Sequence, residues 1–469
     1  MAFRVESDFL GSVKVPAEAH YGIFTVRAGK VFRISGERAK PVFICALAKV
    51  KIASCEANAQ LGILEKRKAR AIEKACREII SGKFSDQFVL DVFQAGAGTP
   101  FNMNMNEVIA NRANEILGFK KGDYAKGVHP NNDVIPTATR IAVLWELEDL
   151  AEGVGKLEKA FRAKAKRYSR VIKPGRTHFQ DAVPMTYGQV FGAYAGALAR
   201  DLKEIESAGQ KLLEIPLGGT AVGTGIASHP RFKKTVAAKL RNWTGLDLKP
   251  GKTIELTQNF NPFANASASL RSLAVTLARV SRNLQFLSSG PAAGIGEIVL
   301  PEVEPGSSIM PGKVNPSVPE CVEMIALDVL GADHTIALAA QAGYNELNTN
   351  SPLIAHKLLN AIEILTNGCA MFEEHCVRGL RVNEKRCREL VDKSAIVATA
   401  LNPYLGYSVT SKIVREAQRA GKTIARVVEE KGLMTRGELA RILKPENLTK
   451  PSKPDAGLKK KAKERLRSV

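Results

Sequence analysis

Five stretches of this chain repeat apolar side chains every three and four residues, over lengths that few folds can accommodate. Leu147, Leu150, Val154, Leu157 and Phe161 form one series, and Leu270, Leu273, Leu277, Val280, Leu284 and Leu287 a second. Val318, Val322, Ile325 and Val329 form a third, and Leu358, Ile362, Leu365, Cys369 and Phe372 a fourth. The fifth, Tyr187 to Leu213, is rich in Gly192, Ala193, Ala195, Gly196, Ala197 and Ala199, which admit a neighbouring helix at close range. Such spacing aligns side chains along one helical stripe and calls for long helices packed at shallow angles. Five exceed what one small bundle needs, so some stripes are expected to be buried against further copies of the chain.

The remaining sequence frames this bundle. A chain of 469 residues, 45% apolar and 25% charged, suits a soluble globular protein of two or three domains. We expect a mainly α fold with a mixed N-terminal domain over 1–131, the long-helix bundle over 132–384 and a small helical C-terminal domain over 385–469. Val13–Pro16 and Gly22–Thr25 read as turns or short strands, and helical periodicity runs from Pro41 to Ala59. Thr435-Arg436-Gly437-Glu438 fits a capping box. Arg4, Glu6 and Asp8 near the start argue against a signal peptide, and no run of about eighteen apolar residues predicts a membrane span. Seven cysteines in no metal or redox spacing suit a reducing cytoplasm. The net charge of +21 is partly gathered in Lys459–Arg467, read as a frayed, solvated end. No zinc-finger, helix-turn-helix or stacking-aromatic motif accompanies it, so neither nucleic acid nor membrane is expected as a partner.

Chemistry concentrates in four stretches. Gly306-Ser307-Ser308-Ile309-Met310-Pro311-Gly312-Lys313-Val314-Asn315-Pro316 is a Gly/Pro-punctuated loop bearing hydroxyls, a cation and a carboxamide. Gly98-Thr99 precedes asparagines at 102, 104 and 106, which suit either helix capping or a polar pocket. Asn132-Asp133-Val134-Ile135-Pro136-Thr137 opens the first long helix, and Gly175-Arg176-Thr177-His178 lies between two helical runs. Each is expected at a helix end, where free N–H groups suit anions. Hydroxyls, carboxamides, one lysine and one histidine, with no metal cluster and no cofactor motif, fit recognition of a small dicarboxylate. A nucleophile elbow is absent. Gly218–Gly225 lacks the lysine of a phosphate loop.

The loop at 306–316, with Asp8-Phe9-Leu10-Gly11, Thr257-Gln258-Asn259 and Leu401-Asn402-Pro403-Tyr404-Leu405-Gly406-Tyr407, resembles the fumarase/aspartase superfamily over nearly the whole chain, and its aspartase branch most. The resemblance implies a three-domain, mainly α fold whose central helices form one bundle in a homotetramer, with each active site drawn from three subunits. It implies elimination of ammonia from L-aspartate, with fumarate hydration or a catalytically silent member as alternatives. By resemblance, Ser307 is the catalytic base, Lys313 and Asn315 hold carboxylates, and Thr99, Asn132, Thr177 and His178 line the substrate pocket. Glu320 matches the acid that orients the histidine.

Two departures matter most. His129-Pro130-Asn131 runs straight into Asn132 without the Ser/Thr-rich turn of the family, and Gly290-Pro291-Ala292 lacks the family's arginine. Losing two charge-assisted hydrogen bonds would cost about 1.5–3 kcal/mol each, enough to weaken turnover by orders of magnitude.

Overall fold

Each of the five apolar series lies on a helix in the computed structural model, which describes residues 2–122 and 131–467, without the side chains of Asn131 and Asn132. The chain opens with a hairpin of β1 (Phe3–Asp8) and β2 (Gly11–Pro16), then α1 (Ile23–Val31), α2 (Pro41–Gln60), α3 (Lys66–Ile80) and α4 (Thr99–Leu117). Val13–Pro16 is thus strand, whereas Gly22–Thr25 enters a helix. Glu107 on α4 accepts the N–H groups of Gly22, Phe24 and Thr25, capping the start of α1 from outside.

The long helices are α5 (Asn131–Arg167), α6 (Tyr187–Gln210), α9 (Asn261–Ser288), α10 (Ser317–Gln341) and α11 (Ser351–Phe372), with α7 (Phe232–Thr244) and α8 (Thr253–Gln258) between them. Between α5 and α6 the antiparallel hairpin of β3 (Ile172–Thr177) and β4 (Gln180–Thr186) intervenes. The seam residues of α5, α9 and α11 are buried, as are Val318, Val322 and Val329 of α10. At about 25 cal/mol per Å² of apolar surface removed from water, burial on this scale dominates the stability of the helices.

α10 also carries a second seam. Glu320, Met324, Leu327, Gly331, His334, Leu338 and Gln341 step by four and three and are all exposed. Met324, Leu327 and Leu338 are each more than half exposed, on the helix face opposite the buried seam. A heptad stripe in water is the surface another helix fits.

The chain divides into two compact units. The first comprises Met1–Gly153, Asp201–Val275 and Met324–Asn367; the second comprises Val154–Arg200, Thr276–Glu323 and Gly368–Val469. The divisions fall inside the five long helices. Within the second unit, Leu401, Ile413, Val427, Val428, Leu439 and Ile442 build a separate small core. Thr435 caps its helix with Glu438 in the anticipated capping box. The basic C-terminus is not frayed: Ala456–Arg467 is helical, Leu458 and Ala462 are buried, and Arg465 pairs with Glu438. Apolar positions four apart give this helix an inward face that charge counting overlooks.

All seven cysteines are free, five of them buried. Burial pushes the Cys369 thiol up to about 12, leaving it unreactive. Among the described residues, no helix is long and apolar enough to cross a membrane.

Candidate active site

The 306–316 segment is a loop wired to itself. Gly306 N–H donates to the Lys313 carbonyl at 2.9 Å, and Asn315 Nδ2 donates to the Gly306 carbonyl at 2.9 Å. Lys313 Nζ donates to Asn315 Oδ1 at 2.7 Å, so the cation and the carboxamide form one polar head. A side chain at Gly306 would come within 2.6 Å of the Lys313 carbonyl, which explains the glycine. Ser307 Oγ accepts the backbone N–H groups of Ile309 and Met310, both at 3.1 Å. Donors aimed at a hydroxyl oxygen favour its deprotonated form. Ile309 stands 86% exposed beside it, an apolar lip in water.

Thr177 and His178 sit at the tip of the β3–β4 hairpin rather than at a helix end. Thr177 pairs with Gln180 across a two-residue turn, and His178 and Phe179 adopt φ of 55° and 59°. Those values are the turn whose twist matches the flanking strands, although neither residue is glycine. Phe179 packs edge-on against Phe286 at 5.4 Å. β-branched residues at Ile172, Thr177, Val183 and Thr186 favour strands here, a signal overshadowed by Gly175 and the two prolines.

The base of this hairpin rests on a fully buried carboxylate. Glu297 accepts from Arg176 at 2.5 Å and from the Tyr187 hydroxyl at 2.7 Å, with Lys173 at 3.3 Å. Burial raises the Tyr187 hydroxyl pKa well above its ordinary range, and the Glu297 charge adds to it. Burial lowers Lys173, which the same carboxylate opposes. Sequence reading missed Glu297, although a lone acid within Ile295–Leu300 asks for a buried counter-charge.

Thr99 opens α4 in the first unit. Gly98 has φ 75°, and a side chain there would meet Ile135 of α5 at 3.0 Å, so this glycine lets the backbone just before Thr99 approach the start of α5. The asparagines do not cap the helix. Asn102 and Asn104 are buried, accepting from Lys51 at 2.5 Å and donating to the Gln87 carbonyl at 3.0 Å, respectively. Asn132 lies in the first turn of α5; its side chain, His129 and Pro130 lie outside the described residues.

Asp133 is buried and its Oδ2 accepts the N–H groups of Gly218 and Thr220 at 3.0 and 3.1 Å. Burial raises its carboxyl to about 6, with those donors pulling the other way. Lys51 is pushed down to about 8 by burial, against the pull of Asp133. The glycines of 218–225 serve close approach: a side chain at Gly223 would meet the Ile254 backbone at 2.3 Å.

The structure therefore brings Ser307, Lys313 and Asn315 together on one loop. His178 and Glu320 are both exposed, and no hydrogen bond joins them among the described residues of this chain. Where Gly290-Pro291-Ala292 lacks an arginine, Arg386 donates to the neighbouring Gly294 and Ile295 carbonyls, both at 3.0 Å. Among the described residues, no group of three or more His, Cys, Asp or Glu side chains is placed to hold a metal ion.

Comparison with known proteins agrees along the length of the chain. A family profile described as Lyase matches residues 11–331, and one described as Fumarase C C-terminus matches residues 397–450. An aspartate ammonia-lyase of Pseudomonas fluorescens is 45% identical, over 96% of this chain and 97% of that protein. A class II fumarate hydratase of Bradyrhizobium diazoefficiens is 39% identical, over 96% and 97%. The solved fumarate lyase:delta crystallin of Brucella melitensis, bound to cobalt, superposes with a TM-score of 0.93 at 40% identity, covering 96% of this chain and all of that one.

Proposed function

This chain belongs to the lyase family of the fumarases and aspartases, and we propose that it is an aspartate ammonia-lyase, taking L-aspartate reversibly to fumarate and ammonia. The observation that carries this reading is the 45% identity to an aspartate ammonia-lyase over almost the full length of both chains, above the 39% to a fumarate hydratase. The enzyme is a carbon–nitrogen lyase.

In this reading Ser307 removes a proton from Cβ of L-aspartate. The electron pair left behind moves into the adjacent carboxylate, giving a dianion that fixed donors must hold. The pair then returns to form the Cα–Cβ double bond as the Cα–N bond breaks on the opposite face. Two N–H groups on Ser307 Oγ support its role, because they stabilise the alkoxide that a weakly acidic hydroxyl must become. Lys313 and Asn315 grip a substrate carboxylate once they release each other, while Thr99, Asn132, Thr177 and His178 complete the pocket.

The active assembly is a homotetramer, with each site drawn from three subunits. The exposed seam of α10 supports this, and Glu320 heads that same seam. A histidine oriented by Glu320 would then reach it from another copy of the chain. Unpaired thiols throughout suit a reducing cytoplasm.

The test follows fumarate consumption with ammonium present and again in water alone. Loss only with ammonium is expected; loss in water without ammonium would make the enzyme a hydratase. A second reading, a silent or weakened member, is favoured by the direct run of His129-Pro130-Asn131 into Asn132. For that reading, neither L-aspartate nor fumarate turns over, yet a dicarboxylate still raises Tm.

A further inference from the structure

Charge is unevenly spread in this protein. Residues 384–469 hold 21 lysines and arginines against 10 aspartates and glutamates, so under a fifth of the chain supplies about half of its +21. None of this is used by the lyase chemistry. Part of it converges on a cleft of about 600 Å³ within the second unit, whose lining includes Arg441, Lys444, Asn447, Ser452, Lys453 and Asp455. That volume falls in the range of small-molecule sites, about 300–1,000 Å³.

The cleft's one carboxylate is already engaged. Asp455 Oδ2 accepts from Arg441 at 2.5 Å, and its Oδ1 accepts the Leu458 N–H at 3.0 Å. Lys444 and Lys453 are exposed and, among the described residues, have no carboxylate within ion-pair distance. The Tyr404 hydroxyl at the wall is held by the Asp455 N–H at 3.1 Å. Lys450 and Lys460 flank the same segments and are exposed. A cavity with two unmatched lysines, the Ser452 hydroxyl, a carboxamide whose Nδ2 already donates to the Arg441 carbonyl at 2.8 Å and one tyrosine whose hydroxyl is engaged reads charge rather than a flat base.

We propose that this cleft is a second binding site, for a linear oligophosphate anion, whether inorganic or the tail of a nucleotide. Lys444 and Lys453 supply the mobile cations and Arg441 the fixed one, held in place by Asp455. With Arg441 matched by Asp455, two lysines are left without a counter-charge, and they stand on separate segments, before Asn447 and after Ser452. An anion with charge on every unit along its length reaches both, whereas a short dicarboxylate places its charge at two fixed ends.

Calorimetric titration of the full-length protein with inorganic tripolyphosphate tests this. One equivalent per chain is expected, with affinity falling as salt rises. The double variant Lys444→Ala, Lys453→Ala should bind at least tenfold more weakly. Lys412→Ala with Arg419→Ala, which removes two exposed cations from the helix Tyr407–Ala420, should change affinity less than twofold. ATP that binds with the same loss in the first double variant supports recognition of the phosphate tail. Absence of tripolyphosphate binding, equal losses in the two double variants, or binding of duplex DNA that tripolyphosphate does not displace would each overturn the proposal.

Discussion

A serine hydroxyl surrenders its proton only where the oxygen left behind is met by donors. Ser307 has two of them at 3.1 Å, supplied by the backbone of its own loop. Replacing Ser307 with alanine should lower kcat by about 10²–10⁴ without moving Tm, since general base catalysis contributes on that order; steady-state deamination and a thermal melt check it. Asp133 makes a different residue-scale prediction. Its folded pKa of about 6 lies above its ordinary 3.8, so the native state binds the extra proton between those values. Stability therefore falls as pH rises from about 4 to about 6, by about 3 kcal/mol, and stays lower above that. Asp133→Asn has no such titration. The stability of wild type relative to this variant should drop by that amount between pH 4 and 7, read from urea midpoints. The 306–316 loop was legible in the sequence because its partners are nine residues apart or fewer. Asp133 was not, because the N–H groups it accepts lie 85 and 87 residues away.

At the scale of elements, the long helices announced themselves because burial imposes a 3.6-residue period over many turns. The β3–β4 hairpin did not. Its strands are short, its turn uses His178 and Phe179 in the left-handed region instead of glycine, and its stability comes from Glu297 more than a hundred residues away. Glu297→Gln keeps the shape but leaves the buried Lys173 and the partly buried Arg176 without a counter-charge. Breaking a buried pair in this way costs about 3–5 kcal/mol. Lower urea midpoints are expected, together with a fall in kcat as the hairpin tip loses its footing; unchanged midpoints would show that Glu297 carries little. The C-terminal helix teaches a related lesson. A run of lysines reads as solvated until Leu458 and Ala462 are seen to share one buried face.

For the whole molecule, the exposed seam on α10 is the surface on which the proposed tetramer is tested. Leu327→Glu combined with Met324→Glu places two carboxylates in the stripe that the proposed tetramer buries against another helix. The expected result is dissociation, seen as a drop in sedimentation mass, with loss of deamination but a retained helical signal. A variant that keeps its mass would show that the seam faces water in the working enzyme. No sequence pattern distinguished the outer stripe of α10 from its inner one, because apolar side chains stand on both. The two compact units add a last consequence. The backbone passes between them five times, each time inside an unbroken helix. Such a polypeptide offers no place to be parted: gene halves should yield insoluble fragments, and a protease that snips one surface loop should leave pieces that travel together on a native gel and separate only in denaturant.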